Sequence, residues 1–229
     1  MQLILLTCGF ILLTILVYFL MNVLYMKFHQ PFLVPIITTT IVIIIILIVF
    51  NIPYDTYMIG GQWIDKLLGP AVVSLAIPLY KQRELLKQYI FPILTGVLVG
   101  CLTGMVTGVA FAKSLGFSKE LALSLLPKSI TTPIAMQISA QIGGIPALAA
   151  VFVIIAGITG VIFSHYFLTF FKLDSTLGRG IGLGVATHAI GTSKAIEYGE
   201  QEASLSSVAM TLSAIFGSLL GPVIAWIFY

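Results

Sequence analysis

The sequence predicts an all-α polytopic membrane protein: about six spanning helices plus two re-entrant, broken-helix hairpins entering from opposite faces, with an inverted repeat in the C-terminal half. Three observations carry that expectation. The chain is 59% hydrophobic and only 8% charged, against roughly 25% charged residues in a soluble globular domain. A soluble fold of 229 residues would lack the polar groups to cover its surface. The apolar residues come in blocks near the ~20 residues that a spanning helix needs. Finally, two further stretches apolar enough to enter lipid are each interrupted midway by small, polar and basic residues.

The blocks follow in chain order. Leu3 to Met26 has no Lys or Arg before it and exceeds the roughly 7–15 residues of a signal-peptide core, so it reads as a permanent span. Phe32 to Phe50, Tyr89 to Ala112, Pro146 to Phe171 and Ser204 to Tyr229 are the next clear spans. Leu67 to Tyr80 is a sixth, preceded by the turn-rich Asn51-Ile52-Pro53-Tyr54-Asp55 and Gly60-Gly61. As a helix it would be only about 21 Å long against a core of ~30 Å, so it must use flanking residues or lie inside the bundle. The whole of 1–229 reads as one transmembrane domain: four N-terminal spans over 1–112, an outer hairpin plus span over 113–171, and an inner hairpin plus span over 172–229. Cys8 and Cys101 sit inside apolar blocks and suggest neither a disulfide framework nor a metal site. The net charge of +3 falls at span ends, which is membrane topology rather than a surface for nucleic acid.

The two interrupted stretches are 117–144, broken by Pro127-Lys128-Ser129-Ile130-Thr131-Thr132-Pro133, and 174–199, broken by Ala186 to Lys194. Two paths are open to each: across the membrane, or in and back out of the same face. The positive-inside rule favours the second. With both stretches re-entrant and the N-terminus outside, Lys27, Lys81, Arg83, Lys87, Lys172, Arg179 and Lys194 lie inside, while Lys66, Lys113, Lys119 and Lys128 lie outside. If both cross, Lys172 and Arg179 move outside. The re-entrant arrangement makes 117–171 and 174–229 an inverted pair, and small-residue spacing recurs in their spans at Gly157 and Gly160 and at Gly217 and Gly221.

Broken backbone at membrane depth is tolerated only beside protein or a water-filled cavity, and secondary transporters place their sites where such breaks meet. In the first break, Thr132-Pro133 reads as an N-cap with Pro at the first helical position. The N–H groups and positive dipole end of that helix would attract an anion. Lys128 adds a positive charge, and Ser129, Thr131 and Thr132 add hydroxyls. In the second break, Gly191 would permit a tight bend and Thr192 or Ser193 would cap the next helix. Thr187, His188 and Lys194 supply further donors. His188, with an ordinary pKa of about 6.5, is the candidate proton-coupling group.

Each residue also has a plainer reading. Lys128 as an interfacial anchor would snorkel to headgroups, and Lys194 lies three residues before Glu197, a spacing that suits a local ion pair. His188 would serve equally as a hydrogen-bonded packing residue, and Thr or Ser in a membrane helix often bonds its own backbone. His29 and His165, at span ends, read as interfacial. Glu197, Glu200 and Glu202 read as a solvated loop. No phosphate loop, nucleophile elbow or metal-ligand spacing is present, so neither catalysis nor a cofactor is expected.

Three runs in order resemble the LrgB/CidB family: Ala76-Ile77-Pro78-Leu79-Tyr80-Lys81-Gln82-Arg83-Glu84, then Leu125 to Thr132, then Gly178 to Gly184 with His188-Ala189-Ile190-Gly191-Thr192. The resemblance implies a multi-pass protein of the bacterial plasma membrane, antiholin-like or holin-like, modulating murein hydrolase activity and lysis beside a small partner of the LrgA/CidA type. It also implies carriage of a small carboxylate, because a plastid relative moves glycolate and glycerate and some bacterial relatives are linked to pyruvate uptake. The expected function is therefore secondary transport of small monocarboxylates; the alternative is lysis modulation without transport. Glycine-spaced faces also suit a homo-oligomer.

Overall fold

The computed structural model describes residues 2–28, 33 and 35–229, and among them every regular element is a helix. His29 and Phe32 lie outside the described residues, and with them the interfacial reading of His29 and the start of the second block. The chain divides into two compact units, one ending at Ala71 and one running from Val72 to Tyr229.

The first unit holds α1 (Gln2–Phe28), α2 (Pro35–Val49) and α3 (Tyr54–Asp65). Only 6% of the apolar window of α1 is buried, as suits a helix whose surroundings are lipid and which needs no polar face. Gly60 and Gly61 lie inside α3 rather than in the turn expected of them. Close packing is the reason: a Cβ at Gly60 would come 2.7 Å from the Phe10 Cβ and 2.8 Å from the Thr7 carbonyl oxygen. Tyr57 completes the contact, its hydroxyl 3.1 Å from Thr14 Oγ1 and its ring edge-on to Phe10.

Among the described residues, five helical runs are long and apolar enough to cross a membrane: Leu3–Phe28, Tyr54–Lys81, Ile90–Ser114, Pro146–Phe170 and Glu200–Phe228. The second block yields only the 15-residue α2, about 22 Å long, so the expected six spans become five runs and one shorter apolar helix. The stretch expected as the short helix Leu67 to Tyr80 is two pieces, α4 (Leu68–Ser74) and α5 (Ala76–Lys81). They belong to a run of 28 residues, which removes the shortage of length.

The second unit continues with α6 (Arg83–Gln88), α7 (Ile90–Ser114), α8 (Lys119–Leu125), α9 (Thr132–Ile142), α10 (Pro146–Phe170), α11 (Thr176–Ala195) and α12 (Glu200–Phe228). Helix α12 is its axis, with 61% of its apolar window buried against 22% for α7 and for α10. One apolar cluster, including Met105, Leu123, Leu126, Ile130 and Ile138, fastens α8 and α9 to α7 and α12. Another, including Val97, Cys101, Val185, Leu205 and Val208, fastens α11 to the same two helices. Helices α7 and α12 thus form a frame on which both interrupted stretches are mounted.

At one end of this unit, Lys113 Nζ donates to the Phe228 carbonyl at 3.0 Å, and Lys113 and Lys119 both approach the Tyr229 ring. The stretch from α8 to α9 closes on itself there: the Ile145 N–H donates to Ser124 Oγ at 2.7 Å, just after Gly143 ends α9 at φ 87°. At the other end, the guanidinium of Arg179 lies over the Tyr198 ring. Gly184 and Thr192 both face Ser206 of α12, the first so closely that a Cβ would strike the Ser206 backbone, the second through a hydroxyl contact of 2.9 Å.

Candidate functional site

The first break spans 126–131, between α8 and α9. Thr131, extended at φ −57° and ψ 138°, is the N-cap of α9, one residue earlier than the Thr132 that the sequence suggested. Its hydroxyl makes no capping bond. The cause is local: Pro133 removes one of the N–H groups that a cap serves, and the Ile134 N–H is taken by the Thr131 carbonyl at 3.1 Å.

The second break lies at His188, φ 44° and ψ −129°, inside α11. It was expected at Gly191, but Gly191 stays helical and packs against Thr187 Oγ1 and the Leu183 carbonyl. Thr192 and Ser193, expected as caps, are interior to α11 and donate to the carbonyls of His188 at 2.9 Å and Ala189 at 3.2 Å. A non-glycine residue in such a conformation costs about 1–3 kcal/mol, which the surroundings must offset.

The two breaks touch. His188, only 2% exposed, places Nε2 3.2 Å from the carbonyl oxygen of Lys128. Lys128 in turn sends its ammonium to the Gly104 carbonyl at 3.2 Å and to Ser129 Oγ at 3.4 Å. Among the described residues no carboxylate lies within ion-pair distance of Lys128. The ammonium opens on a cavity of about 480 Å³, lined by Gly96, Gly100, Thr103, Gly104 and Thr107 of α7, by Lys128 and Ser129, by Ala156 of α10, and by Ile181, Gly182, Val185 and Ala186 of α11. The volume is within the roughly 300–1,000 Å³ of small-molecule sites. One end of the lining is cationic and rich in hydroxyls; the rest is glycine, alanine and aliphatic carbon.

Of the ten residues singled out in the sequence, Lys128 and Ser129 line this cavity and His188 reaches it through the Lys128 carbonyl. Thr131 and Thr132 begin α9 and do not line the cavity. Thr187 is buried and donates to the Leu183 carbonyl at 2.6 Å. Lys194 donates to Glu197 Oε2 at 2.5 Å, the local pair that its spacing allowed. Glu202, read as part of a solvated loop, is instead buried, 8% exposed, in the first turn of α12 where an acid suits the helix dipole. The α7 lining is absent from the sequence-derived set. Its visible sign is the four-residue spacing of Gly96, Gly100, Gly104 and Gly108, which lets backbones approach: a Cβ at Gly100 would stand 2.6 Å from Val185 Cγ1 and one at Gly104 3.1 Å from Ser129 Oγ.

The family model of the LrgB-like family matches residues 14–227. The chain belongs to that family. It is 52% identical over 219 residues to the uncharacterized protein YxaC of Bacillus subtilis, covering 96% of this chain and 95% of that one. It is 37% identical over 219 residues to the holin-like protein CidB of Staphylococcus aureus, covering 96% of each. YwbG of Bacillus subtilis is 38% identical over 210 residues, covering 92% of this chain and 93% of its own length. No solved structure matches the chain. The family places the helical bundle as a bacterial membrane protein, and the three runs that suggested it belong to the matched region.

Proposed function

We propose that this LrgB-like protein is a secondary transporter of small monocarboxylates, with the stretches 117–144 and 174–199 as re-entrant hairpins from opposite faces and Lys128 as the anion-binding charge between them. The observation that carries the reading is a half-buried ammonium, neutralised by no carboxylate among the described residues, at the wall of a cavity of about 480 Å³. Such a charge at membrane depth is costly and is retained where it serves a path or a substrate. One positive charge with Ser129 beside it suits one carboxylate, and the aliphatic remainder of the lining suits a short organic tail.

Further geometry supports the inverted arrangement. Gly157 and Gly160 of α10 seat His188 and Thr187 of the second break, while Gly217 and Gly221 of α12 seat Ile130 and Ile138, at and just beyond the first. Each span therefore supports the break that belongs to the other half, as a pair related by a two-fold axis in the membrane plane would. In this reading His188 is the proton-coupling group, and Thr131 and Thr132 present the N-terminal turn of α9 to the anion.

The test is uptake of radiolabelled pyruvate, glycolate and glycerate into proteoliposomes. The purified protein is expected to take up at least one, and Lys128→Ala to abolish it at unchanged reconstitution. Normal uptake by Lys128→Ala removes the site. A second reading rests on the holin-like name of the CidB relative: the chain modulates lysis with a small LrgA/CidA-type partner and carries no substrate. Silence of the wild-type protein across the carboxylate panel, with lysis altered by deletion of its gene, would favour that reading. Copurification of the small partner tests the association itself.

A further inference from the structure

We infer that His188 is a positioning residue that docks Lys128, and that Gly157 exists to give the imidazole its place. The inference goes beyond proton coupling. Its functional consequence rests on the transport reading, whereas its geometry does not.

A residue at φ 44° and ψ −129° occupies backbone space where glycine is the default. The sequence has 21 glycines, two of them in this helix within four residues of the break at Gly184 and Gly191, yet the break itself carries a histidine. Backbone preference therefore does not explain the residue; the side chain does. A carbonyl oxygen only accepts, so the Nε2 that lies 3.2 Å from the Lys128 oxygen is the protonated nitrogen of the ring. That bond joins residues 60 apart and is made by a side chain 2% exposed. The opposite edge of the ring is fixed by α10: a Cβ at Gly157 would stand 3.1 Å from His188 Cε1, 3.5 Å from its Nδ1 and 2.8 Å from Ile190 Cδ1. Glycine at 157 thus gives the ring edge its room, and a Cβ there would make the ring give by a few tenths of an ångström.

The consequence falls on the neighbouring side chains. With the Lys128 carbonyl held by His188 and its ammonium held by the Gly104 carbonyl and Ser129 Oγ, both ends of the lysine are tied, and Ser129 is kept against α7. Releasing the carbonyl leaves the first break without its tie to the second.

The test uses the full chain with Cys8→Ala and Cys101→Ala and a single reporter, Ser129→Cys, reacted with a small water-soluble thiol reagent. His188→Ala is expected to raise the labelling rate about tenfold, the order of one net hydrogen bond lost. Gly157→Ala, which displaces the ring but keeps the histidine, is expected to raise it in the same direction. His188→Gln, whose amide nitrogen stands near the place of Nε2, is expected to restore the rate to within about twofold of the parent, an effect well under one hydrogen bond. Equal labelling of parent, His188→Ala and Gly157→Ala would overturn the inference, and so would a Gln variant indistinguishable from the Ala variant. Pyruvate uptake is read in parallel with Ser129 in place: the docking role predicts that Gly157→Ala, which keeps the histidine and so any proton coupling, raises KM more than it lowers the maximal rate. A wild-type protein, with Ser129 in place, that takes up nothing while labelling of the cysteine variants changes as described sinks the transport reading and leaves the docking of Lys128 standing.

Discussion

The guanidinium carbon of Arg179 lies 5.6 Å from the centre of the Tyr198 ring, so the first turn of α11 stands beside the residue just before the N-cap of α12. The same side chain donates from Nε to the Leu173 carbonyl at 3.1 Å and from NH2 to Asp174 Oδ1 at 3.2 Å. One cation thereby gathers the entrance and the exit of the second interrupted stretch. A double-mutant cycle with Arg179→Ala and Tyr198→Ala is expected to give a coupling of about 0.5–1 kcal/mol in thermal unfolding, the usual worth of an exposed cation–π pair. If the stretch is re-entrant, single cysteines at Thr176 and Gly199 will also react with an impermeant reagent from one and the same face; labelling from opposite faces would make it a crossing helix.

Gly217 makes a separate prediction about stability. A Cβ there would collide with Ile130 and lie 3.2 Å from Met105 Cε, whereas nothing stands within 4 Å of a Cβ at Gly182. Overpacking a filled site costs about 1–3 kcal/mol. Gly217→Ala is therefore expected to lower the melting temperature in detergent by several degrees, and Gly182→Ala to leave it unchanged or slightly higher. Similar melting of the two variants would mean that α12 does not seat Ile130.

These contacts mark how far the sequence could be read. The first break was legible because its causes are local: Pro127 and Pro133 bracket it, and the hydroxyls and Lys128 lie within those few residues. The second break was legible only as a region. Gly191 carried the turn signal, but the chain turns at His188, since the Lys128 carbonyl and the space at Gly157 decide the matter from other helices. No propensity scale holds that information. The α7 face was hidden for another reason: its glycines occur inside an ordinary apolar span, and their spacing of four acquires meaning only when Val185 and Ser129 are seen against them. The short second helix and the run across Lys66 escaped because hydropathy reports apolarity and not where a helix ends.

Lys194 and Lys128 separate two roles for a lysine in a polar break. Lys194 is paired with Glu197, just past the end of α11, and does not line the cavity. Lys194→Ala is expected to leave carboxylate uptake within about twofold of wild type, in keeping with the small worth of a local pair three residues apart. A loss as deep as that of Lys128→Ala would move the anion site toward the second break.

Lys128 itself should trade stability for function. Its ammonium is half withdrawn from solvent with, among the described residues, a carbonyl and a hydroxyl as partners, and a withdrawn charge without a counter-charge is a burden on the fold that a methylene chain of similar length does not carry. Lys128→Met keeps the stem and removes the charge. The variant is expected to melt at the same temperature as the wild type or higher, by an amount on the order of 1 kcal/mol, while carboxylate uptake falls to background. Arginine at this position keeps the charge but brings a wider head group past Gly108, where a Cβ would already stand 3.3 Å from the Lys128 Cε. Lys128→Arg is thus expected to retain anion binding only weakly and to melt lower. If Lys128→Met instead melts well below the wild type with uptake intact, the lysine is a structural tie through Gly104 and the anion must be held elsewhere.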